Sequence, residues 1–267
     1  MSMRKTLLWV PCALFVFSLA LTSPVYKSEN LSFKDSTSNS SLSLSSQLFN
    51  QYVDNIYQIA SLQSVGLDAA VFKKAITGYY NLKMANKLSA NSSVITIVDL
   101  AKSSCTKRMW IVDLLSKKLL LNTWVAHGQR SGDDMACRFS NDVDSFESSI
   151  GFYVTDNVYM GKHGRSLRLN GMDEGFNDRA NERDIVLHAA EYVGPGSIKA
   201  LGRLGRSQGC PAVSPLVADR IINIIKGKNV LFVNGNVDNY NSRYLNPDQA
   251  ARIAFQDNEE SLERRVL

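Results

Sequence analysis

The spacing of apolar residues changes character once along this chain, near residue 93, and that change sets the expected architecture. Leu48, Tyr52, Ile56 and Ile59 recur at helical spacing, as do Val71, Phe72, Ala75, Ile76, Tyr79 and Leu82, with Gly66 breaking the two sets. Repeats of three and four residues put a stripe on one helix face, so a helical segment is expected over 47–92. From Val94 the runs shorten to VITIVDL, RMWIVDL, LLLNTWVAHG, IGFYVTD, SLRLNG, DIVLHAA and VLFVNG, each bounded by Gly, Asn, Asp or Lys. Short β-branched and aromatic runs between turn formers read as strands. RMWIVDL and LLLNTWV flank Leu115-Ser116-Lys117-Lys118 and predict a hairpin. One helix stands out in this half: Ser214 caps it, Pro215 occupies its first turn, Leu216, Ile221, Ile222, Ile224 and Ile225 follow, and Gly227 stops it. Strands dominate, so a mainly β domain is expected over 93–236.

Both ends of the chain differ from this middle. Arg4 and Lys5 precede an apolar run from Thr6 to Leu21, and Ser18-Leu19-Ala20 offers small residues for cleavage. That order predicts a signal peptide over 1–23; the run is short for a membrane span and Pro11 interrupts it. An uncleaved segment is the one route to a membrane here. Residues 24–46 are rich in Ser, Asn and Thr without an apolar period and predict a flexible tether. Residues 237–267 turn polar and predict a surface extension.

Charge and cysteine content refine the picture. The formal net charge of +5 loses Arg4 and Lys5 with the leader, leaving a mildly basic chain suited to an anionic partner. Basic and aromatic residues are not interleaved on one element, so no nucleic acid is expected. Export removes Cys12 and leaves Cys105, Cys137 and Cys210, an odd number, so at least one thiol stays free. A Cys105–Cys137 disulfide and three reduced thiols fit the count equally. The Asn-x-Ser sequons at Asn30, Asn39 and Asn91 matter only in a eukaryotic secretory path.

Two nucleophiles compete in the stretch GRLGRSQGCPAVS. Gly205-Arg206-Ser207-Gln208-Gly209 matches the G-x-S-x-G elbow, yet that arrangement needs a histidine after the serine, and the three histidines are His127, His163 and His188. The strand texture also lacks the crossover helices of a parallel sheet. Cys210 is better served. His188 ends the run DIVLHAA upstream, Arg203 and Arg206 supply positive charge, and Gly209 lets the backbone approach a substrate closely. The helix starting near Ser214 turns its positive end to the same corner. Ser104-Cys105-Thr106-Lys107 is an S-x-x-K match, but its Lys-Thr-Gly partner is missing. His127 either lines the cleft or is structural, His163 reads as a structural turn residue, and neither they nor Cys137 have metal-site spacing.

A strand ending in His, a glycine-rich loop, Ser-x-Gly-Cys and a following helix resemble the L,D-transpeptidase catalytic domain, the YkuD-like enzymes of bacterial cell-wall synthesis. GRSQGCPAVS is similar to the murein L,D-transpeptidase branch with Cys-Pro-Ala, and the resemblance runs from Val71 to Val233 through VAHGQRSG, FSN, SSIGFYVTD, GKHGRSLRL and LHAAEYVGPGS. The resemblance implies a β-sandwich-like domain in which Cys210 attacks the bond between diaminopimelate and D-Ala of a peptidoglycan stem. It also implies that His188 takes the thiol proton, with its tautomer held by the Ala189 carbonyl. The amides of Gly209 and Cys210 become the oxyanion donors, with Ser207, Gln208 and Arg206 beside the substrate. No cofactor or metal is implied. The partners are stem peptides in the periplasm, and the acyl group passes to an amine, giving a 3-3 cross-link, or to water, which would make the protein an L,D-carboxypeptidase. Two departures stand out: Pro211-Ala212 replaces the Ile/Val-Arg of many relatives, leaving Arg206 to contact a stem carboxylate, and Ala189 stands where many have Gly. A catalytically idle peptidoglycan-binding protein is the reading from another class.

Overall fold

The computed structural model describes residues 37–255. The leader over 1–23, the first part of the tether and the last residues of the tail lie outside them. Helix α1, Thr37–Ile59, leads through a short 3₁₀ helix, Leu62–Val65, to α2, Ala69–Met84. Gly66 ends the 3₁₀ turn at φ 77°, a left-handed conformation in which glycine alone escapes a Cβ penalty. Asp68 caps α2 by accepting from the amides of Ala70 and Val71 at 2.8 and 3.1 Å.

Two expectations shift in this segment. Residues 37–46, expected as tether, belong to α1; extending a helix already anchored by packing fixes one residue per hydrogen bond, so weak helix formers can join its end. The buried face of α1 is Phe49, Val53 and Ile56, continued by Ala60 just past its end, whereas Leu48 and Ile59 are 38% and 55% exposed. Phe49 explains the rotation. Its ring packs edge-on against Tyr80 of α2, with centroids 5.9 Å apart, and an aromatic side chain outweighs Leu48 in buried area.

Among the described residues nine strands follow: β1 Val94–Asp99, β2 Met109–Asp113, β3 Lys118–Thr123, β4 Val125–Ala126, β5 Gly151–Gly161, β6 Gly164–Gly171, β7 Val186–Ala189, β8 Ala212–Val213 and β9 Val230–Asn234. They hydrogen-bond in the order β3-β2-β1-β9-β5-β6-β7-β8-β4, a mainly β architecture as the texture predicts. The expected hairpin is β2-β3, pairing Met109 with Thr123 and Asp113 with Lys118. Among these strand pairs β1-β9 and β7-β8 run parallel and the others antiparallel.

Both faces of the central strands are covered, which is why their sequences are almost continuously apolar. Ile95, Ile97, Trp110, Val112, Phe152, Val154, Val230 and Phe232 face α1 and α2. Met109, Ile111, Tyr153, Leu231 and Val233 face the opposite core with β6, β7 and helix α4, Pro215–Ile225. Helix α4 contributes Ala218, Ile221, Ile222 and Ile225, a stripe at helical spacing. A short helix α3, Pro195–Leu201, lies between β7 and β8.

The polar extension is corrected over its described part. Residues 247–255 are helical, and Tyr244, Ala250, Ala251 and Ala254 are buried in the core that holds α1 and α2. Alanines at this spacing form a flat face that allows close helix packing while adding little hydrophobicity to the sequence. Asp173 fastens the segment: its carboxylate accepts from Tyr240 at 2.8 Å, Ser242 at 2.6 Å and the Phe152 amide at 2.7 Å.

Candidate active site

Strand β8 supports the site. Ala212 pairs with His188 of β7 on one side and with Ala126 of β4 on the other, so the loop carrying Cys210 enters between two strands. His188 is buried, and its Nδ1 lies 2.8 Å from the Ala189 carbonyl. A carbonyl only accepts, so Nδ1 carries the proton and Nε2 presents its lone pair. Among the described residues Nε2 has no hydrogen-bond partner. Burial pushes the imidazole below its ordinary 6.5; the Ala189 carbonyl opposes this, and the charges of His163 and Lys162 add to it.

Cys210 is half-buried, and its thiol faces the Asp184 carbonyl at 3.5 Å rather than His188. Burial pushes the thiol up, with the Asp184 charge adding to it, while the Val186 backbone, Arg183 and Lys162 pull it down. The resting pair at neutral pH is therefore a neutral thiol and a neutral imidazole. Such a pair suits proton transfer during attack rather than a preformed thiolate.

Ser207 is excluded as nucleophile by its contacts. Its hydroxyl donates to the Cys210 carbonyl at 2.6 Å and accepts from the Gly209 amide at 3.1 Å, closing the loop on itself. Its own amide donates to the His127 carbonyl at 2.9 Å. Ser207 is a brace for the thiol.

The family model for the L,D-transpeptidase catalytic domain matches residues 63–234, a span containing His188, Cys210 and all nine strands. The chain belongs to the L,D-transpeptidase catalytic-domain family. No curated protein sequence matches it. Among solved structures, the L,D-transpeptidase from Mycobacterium smegmatis is 13% identical, with a TM-score of 0.33 over 54% of this chain and 59% of that one. The helical cell shape determining protein Pgp2 from Campylobacter jejuni is 11% identical, with a TM-score of 0.37 over 66% and 60%. The L,D-transpeptidase from Stackebrandtia nassauensis is 16% identical, with a TM-score of 0.33 over 72% and 93%. The chain spans about three-fifths of the length of the first of these. Membership rests on the family model, not on these distant folds.

Within this L,D-transpeptidase domain several expected site residues take other parts. Gly209 donates its amide to Ser207 and accepts from Ser148 Oγ at 3.2 Å, so its N–H is committed inside the loop. Its φ of 120° and the Glu147 carbonyl 2.8 Å from where a Cβ would stand explain why glycine is needed; the close approach is to protein backbone. The Cys210 amide has no acceptor among the described residues and remains open to an oxyanion. Arg206 donates through Nη1 to the Gly132 carbonyl at 2.9 Å and to Asp133 at 2.8 Å. Arg203 also faces Asp133, at 3.9 Å. Gln208 stays exposed beside Cys210.

The departure at 212 has a steric cause. Ala212 is fully buried in a small cluster with Ala126, Ala190, Val193 and Leu204, where an arginine has no room. The cation near the thiol comes instead from Arg183, which sequence reasoning missed. Its guanidinium donates to the carbonyls of Ser140 and Glu147, both at 2.6 Å, and to the hydroxyls of Ser149 and Ser145 at 3.0 and 3.1 Å. It sits inside NDRANERD, a polar run indistinguishable from a solvated surface. Tyr192 is a second missed neighbour, its phenol pushed up to about 12 by burial and by the Cys210 charge.

His127 is a structural residue. Arg108 donates to its Nδ1 at 2.7 Å, Nε2 meets the Gly132 carbonyl at 3.3 Å, and burial followed by the Arg108 charge holds it down to about 4. Ser104 is buried and donates to Asp134 at 2.8 Å, while Lys107 lies over Trp124 at 5.4 Å, so the S-x-x-K match has no catalytic geometry. Cys105 and Cys137 are free thiols, which leaves the possible disulfide unformed. Among the described residues no group of three His, Cys, Asp or Glu could hold a metal ion.

Proposed function

We propose that the chain is a cysteine peptidoglycan L,D-transpeptidase acting in the periplasm. The observation that carries this reading is His188: Nδ1–H is fixed on the Ala189 carbonyl, Nε2 is uncommitted, and the strand register sets the ring beside the loop of Cys210. To react, the thiol leaves the Asp184 carbonyl for Nε2. His188 takes the proton as sulfur attacks the carbonyl between diaminopimelate and D-Ala. The Cys210 amide receives the developing oxyanion, and Arg183 supports negative charge on sulfur. The imidazolium then gives its proton to the departing amine of D-Ala, leaving a thioester. An amine acceptor attacks the thioester, its proton goes to His188, and the thiol is regenerated with a 3-3 cross-link formed.

A second reading draws on one observation, the resting thiol on Asp184 with its acidity reduced by burial. It makes the domain an idle peptidoglycan-binding protein. Mass spectrometry of disaccharide-tetrapeptide incubated with the protein and with Cys210→Ala separates the two. Dimers lacking one D-Ala, formed by the wild type alone, are expected. Tripeptide alone would make it an L,D-carboxypeptidase, and unchanged substrate would favour the idle reading.

A further inference from the structure

The turn between β5 and β6 brings a second imidazole onto the first. The hairpin ladder closes at Gly161 and Gly164, leaving Lys162 and His163 as its two-residue tip. The ring of His163 lies on that of His188 with centroids 4.2 Å apart and planes inclined by only 19°. His188 is 3% exposed, whereas His163 is exposed, so the outer ring caps the inner one. The hairpin arm is held in place beside this contact: Arg165 donates to Asp219 at 3.1 Å and to Asn223 at 2.7 Å, both on α4, and β6 pairs Leu167 with Leu187, the neighbour of His188.

We propose that His163 is a positioning residue for His188, its ring fixing the plane in which Nε2 meets the thiol. The inference rests on the transpeptidase reading for what Nε2 does. The Ala189 carbonyl ties the imidazole at one atom, and a ring tied at one atom still pivots about its side-chain bonds. A flat ring against its face removes that pivot. His163 has a second effect through charge. Two stacked imidazoles disfavour a shared positive state, and Lys162 on the same tip adds a further cation, so His188 is kept as free base. The titratable groups around the pair are His163 and Lys162 on the hairpin, Cys210 before β8, Arg183 and Asp184 ahead of β7, and Tyr192 after it.

The test uses the full chain as wild type, His163→Ala and His163→Phe, with thermal unfolding as a check on folding. Two readouts are taken: kcat and KM on tetrapeptide stems, and the pH titration and tautomer of the His188 ring by nitrogen-15 NMR. His163→Ala is expected to lower kcat about tenfold with little change in KM, to raise the pH at which His188 titrates, and to mix its tautomers. His163→Phe, which keeps the stack, is expected to recover most of kcat and the single tautomer. Wild-type kcat and titration in His163→Ala would overturn the proposal. So would a His163→Phe as slow as His163→Ala, since the imidazole itself would then act, or a loss confined to KM. The NMR arm needs no substrate. If the ring responds as expected while the wild type leaves stems unchanged, the positioning stands and the transpeptidase reading falls; if stems turn over and the ring is indifferent to residue 163, the reverse holds.

Discussion

His127 and His188 flank the same short strand and belong to different kinds of chemistry. Both are buried: His188 lies within β7 and pairs with Ala212, and His127 follows Ala126 of β4, which pairs with Ala212 from the other side. At His127 both ring nitrogens are engaged, one by Arg108 and one by the Gly132 carbonyl. At His188 one nitrogen is engaged, and the other has no hydrogen-bond partner among the described residues. A buried histidine with two partners is a brace; one with a single partner retains a lone pair for proton transfer. The brace still serves the chemistry at one remove, because the His127 carbonyl holds Ser207, and Ser207 closes the loop that presents Cys210.

The sharpest way to break this contrast is His188→Gln, which keeps a polar side chain and removes the base. Acylation of tetrapeptide stems should fall roughly 10²–10⁴-fold, read by mass spectrometry under single turnover, with the fold intact by circular dichroism. A variant retaining wild-type acylation would remove His188 from its role.

The next effect is on stability and belongs to His127. Its folded value of about 4 lies below the ordinary 6.5, so the unfolded chain takes the proton first. Its contribution is complete above pH 6.5 and is lost as pH falls toward about 4. The gap corresponds to about 3 kcal/mol. Urea unfolding of the wild type from pH 7 to pH 4 should show the loss, and His127→Gln should flatten it. An unchanged slope would mean that His127 is not held neutral.

Ser207→Ala is expected to cost about tenfold in acylation, because the loop loses two hydrogen bonds but keeps its thiol. Complete inactivity in Ser207→Ala together with an active Cys210→Ala would exchange the two roles. The smallest change is expected from Asp133→Asn, which breaks the ion pair with Arg206. Asp133 is 84% exposed, and water screens such a pair, so unfolding should shift by less than about 1 kcal/mol.

Residue order singled out His188 and Cys210, because a histidine near the end of an apolar run and a cysteine after a glycine-rich loop leave a pattern along the chain. The strands were legible for a related reason: burial on both faces writes itself as continuous apolar runs. Other features depend on which side chain meets which in space. Arg183 looks like any surface arginine until the loop of Ser140 to Ser149 wraps around it. The amide of Gly209 looks free until the Ser207 hydroxyl takes it. His163 lies 25 residues before His188, and only the bend of a hairpin superposes their rings. The helix over 247–255 was hidden by composition, since alanine contributes a packing surface with almost no hydrophobic signal.

Asp173 bears on where the chain can be cut. Its carboxylate is buried and draws two of its hydrogen bonds from Tyr240 and Ser242. Cleavage near residue 236, where polarity suggests the domain ends, would strip both donors and leave a charge in the interior facing only the Phe152 amide. The packed part of the fold therefore runs past residue 236 to the alanine face, and a shortened protein that keeps residues through 255 should be the more stable one.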